Sequence, residues 1–131
     1  MKWKIVFVLA AFALPPMIFI LSIYITANRT GLPGRRGGPQ DAFRHTYASA
    51  LVSRYLSPKV VHLVTSVTEL DANSPHDQMD IHNNTLGAKL GVSHSGDLYD
   101  FLAEKIKTAE VNTTSEDTIR LMPESDWDNG L

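Results

Sequence analysis

An uncharged apolar run from Ile5 to Asn28, IVFVLAAFALPPMIFILSIYITAN, constrains this chain more than any other feature. As a helix it would be roughly 36 Å long at about 1.5 Å per residue, enough to cross a hydrocarbon core of about 30 Å. In lipid, only a helix satisfies so many backbone amides within one segment. Pro15 and Pro16 remove two amide donors near its middle, so a kink is expected there. Trp3 and Tyr24 sit near the two ends, where amphipathic rings favour the headgroup zone.

A cleaved signal peptide is the rival reading, with Lys2 and Lys4 as its basic start and Ile25-Thr26-Ala27 as a poor cleavage site. The apolar stretch exceeds the usual signal core of about 7–15 residues, which favours an uncleaved signal-anchor over residues 1–28. Basic residues flank both ends: Lys2 and Lys4 before, and Arg29, Arg35 and Arg36 after. The compact first cluster favours an amino terminus in the cytoplasm. In a bacterial host the chain then crosses the inner membrane once and its folded domain faces the periplasm.

Charge divides at the same place. All 14 acidic residues lie at or beyond Asp41, against seven basic ones there, so the domain carries −7. A domain that acidic is a poor partner for nucleic acid, whose binding is dominated by phosphate neutralisation. The Gly/Pro/Arg stretch 29–38 reads as a basic linker that rests on anionic headgroups or serves as a plain spacer. The absence of cysteine excludes disulfides, thiolate metal sites and a cysteine nucleophile.

The remainder reads as one small domain, helical over 39–110, with an acidic, partly ordered tail over 111–131. Proline marks three helix starts: Gly38-Pro39, Ser57-Pro58 and Ser74-Pro75. Proline at the first helical position sacrifices no hydrogen bond, and a preceding serine can cap. The second of these helices, VVHLVTSVTEL, fades at Asp71-Ala72-Asn73. A fourth helix carries Leu98, Phe101, Leu102 and Ile106 on one face. Ile119, Leu121, Met122 and Trp127 in the tail could dock on the bundle. No segment alternates with period two. The expected fold is all-α: a transmembrane helix followed by a bundle of about four helices.

Polar residues cluster on core-adjacent rows. Asp41, Arg44 and His45 stand at i, i+3 and i+4 and share a face that continues into Ala48 and Val52, which read as buried. On the third domain helix Met79, Asn83, Leu86 and Leu90 form one row; Asp80, Asn84 and Gly87 form the next, with Gly87 permitting close helix approach. Three kinds of chemistry compete. Asp41/His45 and His76/Asp80 are acid–imidazole pairs at i, i+4, a spacing that lets ligands converge on a divalent metal such as zinc, manganese or iron. Alternatively Asp41, Glu69 and Asp80 supply carboxylates for acid–base hydrolysis, with His45 as base and Arg44, Asn83 and Asn84 binding substrate. Glu69 is the weaker member, because the His62–Ser66–Glu69 row lies opposite Val60, Val64 and Val67 and reads as a solvated face. The third is a purely structural network that satisfies buried polar groups. His62 and His94 read as lone exposed side chains.

The strings GPQDAFRHTYASAL and MDIHNNTLGAKLG resemble the two signature blocks of an uncharacterised bacterial and phage helical domain family. Its members read roughly D-A-F-R-H, an acidic residue a helix later, then D-x-x-N-N-x-x-G. The resemblance covers about Gly38 to Gly91 and implies a small secreted or membrane-attached protein, or the end of a toxin-like one. It carries over Asp41, Arg44, His45, Asp80, Asn83, Asn84 and Gly87, with Glu69 as the intervening acid. In relatives that acid often follows a histidine, whereas here it follows Thr68.

The leading expectation is therefore a membrane-anchored hydrolase of cell-envelope material. A phage-type lysin is its most concrete form, although Glu69, Asp77 and Thr85 do not fit the spacing of small phage lysozymes. The alternative is a non-catalytic envelope binding, immunity or exclusion protein whose acidic face meets a basic protein partner.

Overall fold

Proline does set the three helix starts. The computed structural model describes residues 2–69 and 73–128. Helix α1 spans Lys2–Arg29 and runs unbroken through Pro15 and Pro16. Helices α2 (Pro39–Tyr55), α3 (Pro58–Thr68) and α4 (Pro75–Ser93) each carry proline in the first turn, as the dipeptides foretold. Ser57 caps α3 through its side chain, accepting from the Lys59 amide at 3.1 Å. Ser74 makes no such bond, so its proline alone marks the start of α4. Helix α5 (Leu98–Lys105) is capped by Asp97 and tightens into a 3₁₀ turn over Ile106–Thr108. The fade anticipated at Asp71 and Ala72 lies outside the described residues.

The centre of the bundle is the α2–α4 pair, flanked by α3 on one side and α5 on the other. Phe43 and Ala50 from α2 meet Met79 and Leu86 from α4, and Leu98, Leu102 and Ile106 close the core. Ala48 and Val52 are only half-buried, because they border a cavity described below.

The last third of α1 belongs to this packing. Ile23 and Ala27 are buried, whereas every described residue from Lys2 to Ile18 is exposed. The connection from α1 to α2 is tied to the bundle by backbone bonds: Gln40 donates to Pro33, Asp41 to Gly34, and Arg36 exchanges two bonds with Asp128. That last exchange fixes Asp128 against the start of the domain.

The tail docks as its apolar residues allowed. Ile119, Leu121 and Met122 are buried, and the Trp127 indole donates to the Met122 carbonyl at 2.8 Å. A two-residue parallel pairing escaped the sequence reading: β1 (Glu110–Val111) lies beside β2 (Arg120–Leu121). Asn83 holds β2 in place. Its side chain is 0% exposed, donates to the Arg120 carbonyl and accepts from the Arg120 amide, each at 2.9 Å. His82, one residue earlier, bonds the Thr118 carbonyl at 2.8 Å. Asn83→Ala should therefore cost about 2 kcal/mol in urea unfolding, because it strands both Arg120 backbone groups. Asn83→Asp should fail to rescue it, lacking the donor.

Candidate functional site

Arg44 and His45 project from the first turns of α2 towards α1, α3 and α4, and Asp41 sits one turn earlier. Asp41 is 2% exposed. Its Oδ2 accepts from the Gly37 amide at 2.7 Å, and its Oδ1 pairs with the Arg44 guanidinium. Arg44 in turn lies over the Tyr24 ring, 4.5 Å from its centroid, a cation–π contact that ties α1 to the site.

The orientation of His45 follows from its neighbours. Asn84 donates from Nδ2 to Thr65 Oγ1 and accepts at Oδ1 from Ser49, each at 3.1 Å. With the Asn84 carbonyl oxygen turned towards the ring, the His45 contact at 3.1 Å is a donation from Nδ1–H to Asn84 Oδ1. The neutral ring then presents a lone pair at Nε2. This atom faces Asp41 Oδ1 at 3.5 Å and Asp80 Oδ1 at 3.4 Å. Asp80 Oδ1 is buried and has no hydrogen-bond donor among the described residues. Three electron-pair donors thus converge on one point.

Such a convergence is repulsive unless a proton or a cation sits within it. Burial lowers the His45 pKa from its ordinary value, outweighing the pull of Asp41. Burial also pushes the Asp80 carboxyl up to about 7, with the Asp41 charge adding to the rise. The ligand atoms of Asp41, His45 and Asp80 lie within 4.8 Å of one another, so the set could hold a metal ion. Nitrogen and oxygen donors of this kind suit zinc, manganese or iron.

A second group adjoins the first through Asp80. Glu69 caps the end of α3 and meets Asp77 and Asp80, again with ligand atoms within 4.8 Å. Burial raises the Glu69 pKa to about 7, helped by a hydrogen bond with Asp77 and by the Asp80 charge. So Glu69 turns inwards at the helix end, although His62 and Ser66 on the same row are exposed.

The structure gathers Asp41, Arg44, His45, Asp80, Asn84 and Glu69. Asn83 points elsewhere, with its amide fully engaged by β2. His76 belongs to neither metal-competent group; its ring lies beside Gly37, and its Nδ1 is buried without a partner among the described residues. His94 is not lone: it stacks on Phe101 at 3.9 Å between centroids. Sequence reasoning weighed Asp77 only against the lysozyme spacing and left it out of the site, although its i, i+3 relation to Asp80 was an available signal. Thr65 and Ser49, which fix Asn84, gave none, because their role depends on α2 and α3 meeting α4.

A cavity of about 370 Å³ adjoins the cluster, lined on one side by α1 and on the other by α2 and α3. His45, Arg44, Glu69 and Asn84 border it. Fold and site together define a small helical-bundle domain whose polar cluster sits where a long apolar helix joins it. The chain belongs to the family described as a domain of unknown function, DUF6973, which matches residues 18–115. That span takes in every candidate site residue and the last third of α1. No curated protein and no solved structure matches the chain.

Proposed function

We propose that this protein is a membrane-anchored hydrolase of cell-envelope material, with Asp41, His45 and Asp80 as a divalent-metal centre. The observation that carries the reading is the meeting of the His45 Nε2 lone pair with two carboxylate oxygens at 3.4 and 3.5 Å. A proton on Asp80 or a divalent cation would each relieve that convergence, and we take it to be the cation. A divalent ion held by this set would supply Lewis acidity towards a carbonyl or phosphoryl oxygen.

The chain's own groups take the other roles. Asn84 holds the His45 tautomer, Arg44 fixes the Asp41 carboxylate, and Glu69 stands ready as proton donor at the cavity wall. Uncleaved anchoring is supported by Ile23, Ala27 and Tyr24, whose contacts with the bundle would be lost on cleavage after Ala27. A bacterial or phage source with the domain in the periplasm agrees with this role.

Expression of the full-length chain beside Asp80→Asn and His45→Gln, at matched abundance, tests the proposal. Lysis or growth arrest is expected from the parent and from neither variant. Equal effects from all three would place the damage in the anchor, and no effect from any would favour a binding or exclusion role.

A further inference from the structure

The walls of the cavity beside the cluster are apolar over most of their length. Ile23 on α1, Ala48 and Val52 on α2, and Val61 on α3 line it. Along α2 the lining passes from His45 to Val52, about two turns later. Asn84 bonds both His45 and Thr65, so the polar residues of α2 and α3 share one end. The other end is the α2–α3 corner.

That corner carries apolar side chains on its outside as well, beside exposed Lys59. Tyr55 and Leu56 are 76% and 71% exposed, and Leu63 and Val67 on α3 are 65% and 62% exposed. Val64 lines the cavity and is also half-exposed, so inner wall and outer face are continuous. Leu63 and Val67 thus face away from the bundle core.

Depth follows from α1. Tyr24 carries the aromatic ring of an interface anchor, and Phe19 lies about 7 Å further towards the apolar stretch at about 1.5 Å per residue. Both residues border the cavity. Its apolar end therefore stands at acyl-chain depth and its polar end at headgroup depth.

We infer that the cavity holds one acyl chain of a membrane phospholipid and that phospholipid esters are the substrate class of the Asp41–His45–Asp80 centre. The second half rests on the hydrolytic reading above. Lipid tails are as apolar as the walls, so a chain enters at little cost and restores contacts that a void forfeits. Water fills such a space poorly. The first polar group along a seated chain is its ester carbonyl, which meets His45 and Glu69. Hydrolysis there consumes one water: its oxygen joins the acyl carbon as the ester C–O bond breaks. One hydrogen leaves on the lysophospholipid hydroxyl and the other on the fatty acid.

Photo-crosslinking on the full-length protein in phosphatidylglycerol nanodiscs, with a diazirine on the acyl chain, tests occupancy. Labelling of Val52 and Val61 is expected, since both line the cavity and Val61 is otherwise buried. Ala48→Trp, which fills it, should abolish that labelling while leaving the label on Val6–Leu14 unchanged. Asp80→Asn should keep the label whether or not the site is hydrolytic. Labelling confined to α1, Leu63 and Val67 in the parent would overturn the inference, even if Ala48→Trp fails to fold. Fatty-acid release by parent but not Asp80→Asn, with zinc or manganese supplied, supports the substrate class. Cavity labelling without release overturns that half alone, and the lysis experiment decides separately whether the site is hydrolytic.

Discussion

Asp80→Asn is expected to make the metal-free protein more stable at pH 8, by about 2 kcal/mol or more. Most substitutions destabilise, so the sign itself is diagnostic. In the folded chain the Asp80 carboxyl is raised to about 7, against about 3.9 in the unfolded chain. Between those values the folded state keeps a proton that the unfolded state has released. Stability therefore falls as pH rises through that window, and the deficit is fully present above pH 7. About three pH units correspond to about 4 kcal/mol at most, and partial access to solvent reduces it.

Asparagine removes the penalty, and it also removes one cause of the raised Glu69 pKa. The gain should shrink as pH falls through 7 and be mostly gone near pH 4. His45 acts with the opposite sign. Its pKa is lowered in the folded state, so stability is lost as pH falls below the ordinary histidine range. The 3.4 Å contact couples His45 to Asp80, so the comparison of parent and variant rests on pH 8, above the ordinary histidine range. Denaturation of detergent-solubilised protein with chelator at pH 4, 6 and 8 measures the trend. Added zinc or manganese should stabilise the parent, more strongly above pH 7, and leave Asp80→Asn unmoved. A variant less stable than the parent at pH 8 would refute the strained-carboxylate account of the site.

Much of this arrangement could be read from local signals. Proline at first-turn positions placed α2, α3 and α4, and i, i+4 spacing put Asp41 beside His45 before any tertiary contact was known. What escaped is what non-local contacts decide. Asn83 and Asn84 are adjacent and chemically alike, yet one pins β2 and the other orients His45. The helical step puts them on different rows, but which row meets His45 and which meets β2 depends on how α4 packs. The valine row of α3 shows the same limit. Periodicity marks an apolar face but does not say whether protein or lipid covers it, and here the bundle leaves Leu63 and Val67 outside. The β1–β2 pairing has two residues on each side, too few for any alternation to register.

Gly91→Ala and Gly87→Ala are expected to destabilise by about 3 kcal/mol each, and together to abolish folding. Helix propensity alone predicts the reverse, since alanine is favoured over glycine by about 1 kcal/mol inside a helix. The difference lies in how closely α2 and α4 approach. A Cβ on Gly91 would stand 2.1 Å from the Ala50 carbonyl oxygen and 2.8 Å from its carbon. One on Gly87 would stand 2.3 Å from the Thr46 carbonyl oxygen. These are backbone atoms and cannot rotate aside, so the helices themselves must separate. Gly87 lies three residues beyond Asn84, and the same approach sets the 3.1 Å contacts of Asn84 with His45 and Ser49. Any Gly87→Ala protein that folds should therefore show a lowered urea midpoint together with weakened metal binding. Gly91→Ala, a full turn further from the cluster, should lose stability with a smaller loss of metal affinity. Equal stability of both variants and the parent would mean that the helices are farther apart than this packing requires, and the Asn84–His45 bond would lose its geometric basis.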